Sequence, residues 1–400
     1  TTEIYTLSLH DALPIFGAKA LALIEMTQIG MPVPPGFVLT VDFFKPWLDS
    51  LERQIEFSTL ATASDHQRSQ TLRALQDLSR SLPFTAPQKD ELEQALGLLR
   101  KTTSGHLYAV RSSSPEEDLE GASFAGGYET TLGVTLENIE TAIRHSFASS
   151  FDERVFLYKR EHGFQLKQPR IAVIIQQQVN AGAAGVAFSL NPLNNCYDEA
   201  VINANYGLGE SVVAGEAEPD LFVIEKHTRR MLETRVGGKQ TVIQLNQAGG
   251  TEKFTHQQQQ ETAITHQQAL ALMELVQQVE THYQKPVDIE WAIADGQIFL
   301  LQARPITTYL PLPPEMLTAP GAPKRLYANS TLIEQGLQEP LSVLGTDFLG
   351  LVLNKVGGPV AEGAIGLDGI TFTAGGGYYM NLSHSRSEEH TSELQSPNTI

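Results

Sequence analysis

At 400 residues the chain is long enough for roughly two or three domains with a sizeable core, and it holds no apolar run of the length a membrane span needs. A formal charge of −18, with no basic stripe, excludes nucleic acid as the main partner, although a nucleotide site needs only a few local cations. The single cysteine, Cys196, excludes an intramolecular disulfide and a multi-cysteine zinc site, reads as a small hydrophobe, and fits a reducing cytoplasm.

Both ends read as foreign to the rest. Tyr5 to Ile15 lacks the charged start and cleavage site of a signal peptide and resembles a translated sequencing adapter, as does Arg386 to Ser396. The native protein is therefore expected to run from about Phe16 to Ser385, as a fragment. Residues before Phe16 and after Ser385 are expected to pack against nothing, and His10, Asp11 and His390 to carry no function.

After Phe16-Gly17-Ala18-Lys19, the apolar positions Leu21, Leu23, Ile24 and Met26 predict a helix ended by Gly30. A proline-stiffened turn, Met31 to Pro35, leads into a strand through Phe37 and Leu39. Lys19, just ahead of the helix, reads equally as a phosphate ligand and as a solvated lysine. Val41 to Thr103 is helical in pattern, with Leu72, Leu75, Leu78 and Leu82, then Leu92, Leu96 and Leu99, on helical faces and a loop over Ser58 to Gln70. This region reads as scaffold.

A short strand, Leu107 to Val110, then delivers Arg111 to its end, followed by Ser112, Ser113 and Ser114. An acidic turn and a Gly/Ala/Ser segment follow, interrupted only by Phe124 and Tyr128. The arginine offers a planar fork of donors and the serines offer hydroxyls. Gly126 and Gly127 let backbone N–H groups come close to oxygens, a combination suited to a polyphosphate. The bland alternative is a surface loop with an ordinary arginine.

Glu137 to His162 is helical again. Strands are expected at Ile171 to Ile175, closed by Gln176, Gln177, Gln178 and Val179, and at Ala184 to Leu190, Ala200 to Ala204 and Leu221 to Ile224. The Gly-rich link Asn205 to Gly215 does not match the dinucleotide-binding fingerprint. Met231 to Phe254 reads as a β-hairpin and Glu261 to Tyr283 as a long helix.

Val287 to Ile293 and Ile298 to Ile306 read as two strands joined by Asp295-Gly296, a strong hairpin signal. Alternation puts Asp288 and Glu290 on one face, Ile289 and Trp291 on the other. On the second strand Gln302 and Arg304 share a face, with Leu301 and Ala303 opposite. Glu290 and Gln302 then converge as two hard oxygen ligands beside a cation, the set a Mg²⁺–ATP phosphate tail needs. An exposed polar face on an edge hairpin is the competing reading. Residues 309–323 read as a proline-rich linker and Lys324 to Ser385 as the start of another unit.

Together these stretches resemble the ATP-binding domain of the pyruvate phosphate dikinase and phosphoenolpyruvate synthase family over Phe16 to about Thr308. The resemblance rests on Gly17-Ala18-Lys19, Val33 to Phe37, Val110 to Ser113, Glu117 to Leu119, Ser123 to Gly126, Tyr206 to Glu210 and Asp288 to Pro305, in the family's order. Ala18 departs from it, standing where the family has the second glycine of Gly-Gly-Lys, a place where a methyl group can hold the backbone off the phosphates. The resemblance implies an α+β ATP-grasp fold, two subdomains of about 16–165 and 166–308 closing on ATP. It implies that Lys19, Arg111 and Arg304 hold phosphates, with Arg111 and Arg304 the catalytic pair, and that Gly126 and Thr130 line the phosphate loop. Glu290 and Gln302 are implied as Mg²⁺ ligands, and Gln176 or Gln177 as the adenine contact.

By the same resemblance ATP gives its β-phosphoryl, through a histidine on a downstream swivelling domain, to an unidentified acceptor such as pyruvate or a rifamycin-type hydroxyl. No histidine here has the family's Gly-Gly-x-x-Ser-His context, and Lys324 to Ser385 looks like the start of the middle domain of rifamycin phosphotransferases and their uncharacterised relatives. A carboxylate ligase of ATP-grasp type and a non-catalytic ATP-binding module are the alternatives.

Overall fold

Ala12, Phe16, Ala20 and Leu23 keep helical spacing across Gly17, and two helices follow from them: α1 (Leu9–Phe16) and α2 (Ala18–Gln28). In the computed structural model all four are buried in one cluster with Ile174, and Ile15 packs on its edge. The expectation that nothing before Phe16 packs is thus corrected: Ala12 and Ile15 share the apolar cluster that α2 continues. The structure describes residues 9–60, 64–103, 105–115, 129–161, 169–255 and 260–309, with short stretches between 312 and 383. The expected phosphate-loop residues Gly126 and Gly127, the residues after Ser385 and most of Lys324 to Ser385 lie outside them.

The chain divides into two units, Thr1–Thr308 and Tyr309–Ile400. In the first, β1 (Gly36–Leu39) is followed by α3 (Lys45–Leu51), α4 (Ile55–Thr59), α5 (Asp65–Ser81) and α6 (Ala86–Thr102). The break expected at Ser58 to Gln70 is shorter than read, since α5 already starts at Asp65. Then come β2 (Leu107–Ser113), β3 (Thr130–Thr135), α7 (Ile139–Ala148), α8 (Glu153–Glu161) and β4 (Ala172–Gln177). The four strands form an antiparallel sheet in the order β1-β4-β2-β3. One face carries Tyr108, Val110, Val173 and Ile175 into a core shared with Phe44, Trp47, Leu75, Leu96 and Phe147 from the helices. The other face carries Ala109 and Arg111. Because β4 pairs with both β1 and β2, the subdomain boundary expected near residue 165 is corrected to the stretch between Gln177 and Ala183.

The second subdomain holds β5 (Ala183–Phe188), β6 (Glu199–Tyr206), α9 (Glu210–Val213), β7 (Asp220–Glu225), β8 (Arg230–Arg235), β9 (Thr241–Leu245), β10 (Thr251–Thr255), α10 (His266–Tyr283), β11 (Val287–Ala294) and β12 (Gln297–Pro305). Six strands pair in the order β12-β11-β5-β6-β7-β8, and β9 with β10 forms a separate hairpin. The single hairpin expected over Met231 to Phe254 is therefore divided, β8 joining the large sheet. On one side of that sheet Ile202, Phe222, Ile289 and Trp291 pack on Leu272, Met273, Val276 and Val279 of α10, all of them fully buried. Thr265 and Gln268 start α10 with a reciprocal capping box. Two subdomains, each built of sheet and helix, face one another as the ATP-grasp resemblance implies.

In the second unit β13 (Tyr327–Asn329), β14 (Thr371–Ala374) and β15 (Gly377–Asn381) form a small sheet in the order β13-β15-β14. Met316, inside the stretch expected to be a linker, is buried there with Ala374 and flanked by Leu312, Tyr327 and Tyr379. That stretch belongs to the core of the second unit.

Where α2 meets the end of α10, Tyr283 donates a hydrogen bond to Glu25, and His282 lies 3.9 Å from the same carboxylate. Burial holds the Glu25 carboxyl above the ordinary carboxylate range, against the opposing pull of His282 and Tyr283. A carboxyl raised in this way contributes stability below the ordinary range and loses it as pH rises through the raised value. Glu25→Gln is expected to raise the thermal midpoint at about pH 7 and to leave it nearly unchanged at about pH 4. Melting curves that shift equally at both pH values would show that burial of the charge is not the cost.

Candidate functional site

Arg111 lies within β2 rather than at its end, and strand alternation turns its side chain away from the helical core. The residue is 8% exposed. Its guanidinium crosses from the first sheet to the second. Nη1 donates to the Leu301 carbonyl at 2.6 Å, and Nη2 donates to Gln302 Oε1 at 2.7 Å and to Glu290 Oε2 at 3.3 Å. Nε is buried without a hydrogen-bond partner. Thr130 stands directly across from Arg111 on β3.

Glu290 and Gln302 are register partners on adjacent antiparallel strands, as are Asp288 and Arg304. The turn between those strands has Asp295 at φ 49° and Gly296 at φ 77°, the left-handed pair that the Asp-Gly signal predicts. One expectation fails on this hairpin. The register slips between Glu290 and Trp291, so that Leu300 faces Trp291 and Leu301 bulges. Leu301 consequently packs with Val179, Ala184 and Ala292 on the cleft side instead of opposite Gln302. The bulge also frees the Leu301 carbonyl for Arg111. Arg304 Nε donates to both oxygens of Asp288, at 2.8 and 3.1 Å.

Lys19 sits in the first turn of α2, whose start is tied to the end of β2: Ala18 N–H donates to the Ser114 carbonyl at 3.1 Å and Ala20 N–H to Ser113 Oγ at 3.0 Å. The position that demands glycine is Gly17, with φ 74° and ψ 165°. Ala18 is already helical, so its methyl group falls outside the constrained spot. Of the two glutamines left open, register places Gln176 opposite Ala109 on the cleft face of β4. Its Nε2 donates to the Pro34 carbonyl at 2.8 Å, which fixes the amide. Gln177 follows at the end of the strand, its backbone N–H held by Pro35.

These residues line a cavity of about 390 Å³ between the two sheets, within the usual range for small-ligand sites. Leu132, Val179, Ala181, Ala184, Leu208 and Leu301 give it an apolar wall, while Lys19, Arg111, Thr130, Glu290, Gln302 and Arg304 supply its polar groups. Lys19, Arg111, Thr130, Gln176, Gln177, Glu290, Gln302 and Arg304 are thus brought together on one cavity. Gly126 lies outside the described residues.

Glu290 and Gln302 offer two hard oxygens around one cation, which in this structure is the guanidinium of Arg111. Among the described residues no three His, Cys, Asp or Glu side chains gather as a metal site. The oxygen pair fits Mg²⁺ of the kind that completes its shell with phosphate oxygens and water, and does not fit a metal held by protein alone.

Glu210 also lines the cavity, and the sequence reading gave it no role although it closes the quoted Tyr206 to Glu210 motif. Burial first, and then the neighbouring Glu216, raise its carboxyl above the ordinary range. A second unforeseen feature is the fully buried ion pair of Lys239 with Asp220. The Asp220 oxygens also accept from Gly237 N–H at 2.9 Å and Ala263 N–H at 2.6 Å. This pair pins the loop leading into β9.

The family described as the AMP/ATP-binding domain of pyruvate phosphate dikinase matches residues 13–312. An uncharacterized phosphotransferase of Bacillus subtilis is 38% identical over 301 residues, covering 75% of this chain and 34% of its own length. A probable phosphoenolpyruvate synthase of Methanocaldococcus jannaschii is 32% identical over 303 residues, 74% of this chain and 26% of its own. A rifampicin phosphotransferase of Streptomyces sviceus is 34% identical over 325 residues, 78% of this chain and 37% of its own. The chain spans 26% to 37% of the length of these relatives.

Proposed function

The chain belongs to the pyruvate phosphate dikinase AMP/ATP-binding family, and from that premise we propose that its cleft binds Mg²⁺–ATP as the nucleotide half of a dikinase-type phosphotransferase. The observation that carries this reading is the meeting of Arg111 with Glu290 and Gln302 at the polar side of the cavity. Arg111, Lys19 and Arg304 hold the phosphates, with Thr130 and Gly126 on the phosphate loop. Arg111 and Arg304 stabilise charge on the transferred group. Glu290 and Gln302 hold Mg²⁺, which supplies neutralisation of phosphate charge when bound. The hinge glutamine that faces the cleft, Gln176, meets the adenine, and the apolar wall of Val179, Ala181 and Leu301 takes the ring.

In the whole protein ATP gives AMP and phosphate, and the β-phosphoryl reaches an acceptor through a histidine on a swivelling domain. Relatives named for phosphoenolpyruvate synthesis and for rifampicin share this ATP-binding half, so pyruvate and a rifamycin-type hydroxyl are both candidate acceptors. No described helix is long and apolar enough to cross a membrane, and a cytoplasmic location suits the use of ATP. With ATP labelled at the β-phosphorus, the chain alone is expected to bind nucleotide in filter assays and to acquire no covalent label. Stoichiometric label on one of its own histidines would place the carrier in this chain and refute the division of labour.

A further inference from the structure

A carboxylate facing a triphosphate is repelled by it unless a cation stands between them, yet Glu210 lines the same cavity as Lys19, Arg111 and Arg304. Its place in the fold resolves the conflict. Gly209 lies over Ala184, so close that an added Cβ would sit 3.7 Å from the Ala184 Cβ. Ala184 is register partner to Ala292 on one side and Asn205 on the other, whereas Glu290 pairs with Val186. Glu210 therefore starts α9 above a rung two residues nearer the hinge than the rung of Glu290 and Gln302, about 6.5 Å along the strand. Val179 and Ala181 of the hinge pack on that same Ala184. Glu210 thus starts α9 at the apolar slot, one face-step along the strand from the rung of Glu290 and Gln302.

The loop that carries it is held firmly. Leu208 N–H donates to the Ile243 carbonyl at 2.7 Å, and Asn205 Nδ2 donates to the Thr241 carbonyl and to Ser211 Oγ, both at 2.8 Å. Gly207, at φ 73°, lies so close to Ile243 that a Cβ there would come within 2.2 Å of its carbonyl oxygen. The loop is thus prearranged. The Glu210 carboxylate itself accepts no hydrogen bond from a described side chain, and its burial makes a donor partner worth more than one in water.

We propose that Glu210 accepts hydrogen bonds from the ribose hydroxyls of the bound nucleotide and so makes this site select ribonucleotides over deoxyribonucleotides. A carboxylate with two acceptor oxygens matches two vicinal hydroxyl donors, the pairing by which acidic side chains hold ribose elsewhere. The inference rests on reading the cleft as a nucleotide site. It adds a specificity determinant at the adenine slot.

The test is calorimetric titration of wild type, Glu210→Ala and Glu210→Gln with Mg²⁺ and each of ATP, 2′-deoxy-ATP, 3′-deoxy-ATP and inorganic tripolyphosphate. Wild type is expected to favour ATP over at least one deoxy analogue by about tenfold, the worth of a hydrogen bond to a charged acceptor at a half-open site. In Glu210→Ala that ratio falls to about one, Glu210→Gln lies between, and tripolyphosphate binds all three alike. Unchanged tripolyphosphate binding also shows that the variants are folded at the phosphate end. A wild type that binds ATP and both deoxy analogues equally, or a Glu210→Ala variant that keeps the preference, overturns the proposal. Failure of wild type to bind ATP at all overturns instead the nucleotide reading beneath it.

Discussion

Replacing Arg111 with alanine is expected to weaken binding of Mg²⁺–ATP by about 1.5–3 kcal/mol, the usual contribution of a hydrogen bond to a charged group. The guanidinium reaches from the first sheet to Glu290, Gln302 and the Leu301 carbonyl of the second. Its Nε, buried without a partner, leaves a donor for an incoming oxygen. Lys19→Ala is expected to cost less, since an ammonium gives a point contact where the guanidinium gives a fork. Calorimetry with a non-hydrolysable ATP analogue measures both. An Arg111→Ala affinity within a factor of two of wild type would remove Arg111 from the phosphate site.

Gly17→Ala is expected to destabilise the first unit by about 2–4 kcal/mol, combining left-handed backbone strain with overpacking. The added Cβ would fall 2.4 Å from Ser113 Oγ and 2.5 Å from the Ser113 carbonyl carbon and oxygen. The backbone there, at φ 74° and ψ 165°, is close to a region reserved for glycine. Relief requires α2 to withdraw from β2, and that movement breaks the Ala20 N–H bond to Ser113 and carries Lys19 out of the cavity. Equilibrium denaturation and ATP titration of one variant therefore report the same displacement. A change below about 0.5 kcal/mol, the ordinary scatter of surface substitutions, would mean that the junction is looser than its contacts indicate. Ala18→Gly, by contrast, leaves the phosphate end where it is.

The parts of this site that could be read in advance are those set by local chemistry. Asp295-Gly296 dictated a two-residue turn joining the two strands, whereas regular pairing from that turn would set Glu290 opposite Leu301, and it is the bulge at Leu301 that brings Gln302 across from Glu290. Pairings at long range had no such signal. Gln176 and Gln177 close a strand that follows the helices of the first subdomain, yet nothing in Ala172 to Gln177 says that this strand closes the earlier sheet rather than opening the later one. The slip at Trp291 is invisible for the same reason: Leu301 between Leu300 and Gln302 fits regular alternation equally well, and only the partner strand forces the bulge. Lys239 and Asp220 are ordinary charges in sequence and a buried pair in space. Ala12 was set aside on the look of its segment, although its spacing from Phe16, Ala20 and Leu23 already carried the helical stripe.

The most direct measurement is the magnesium dependence of nucleotide binding in wild type and Glu290→Ala. Wild-type affinity for a non-hydrolysable ATP analogue, titrated calorimetrically with and without Mg²⁺, is expected to rise by about tenfold or more with the metal, as two protein oxygens join the phosphates around it. Glu290→Ala is expected to lose most of that increment while still binding the metal-free nucleotide through Arg111 and Lys19. The same increment in both proteins would contradict the placement of the metal at Glu290 and Gln302, and no measurable nucleotide binding by wild type would contradict the site as a whole.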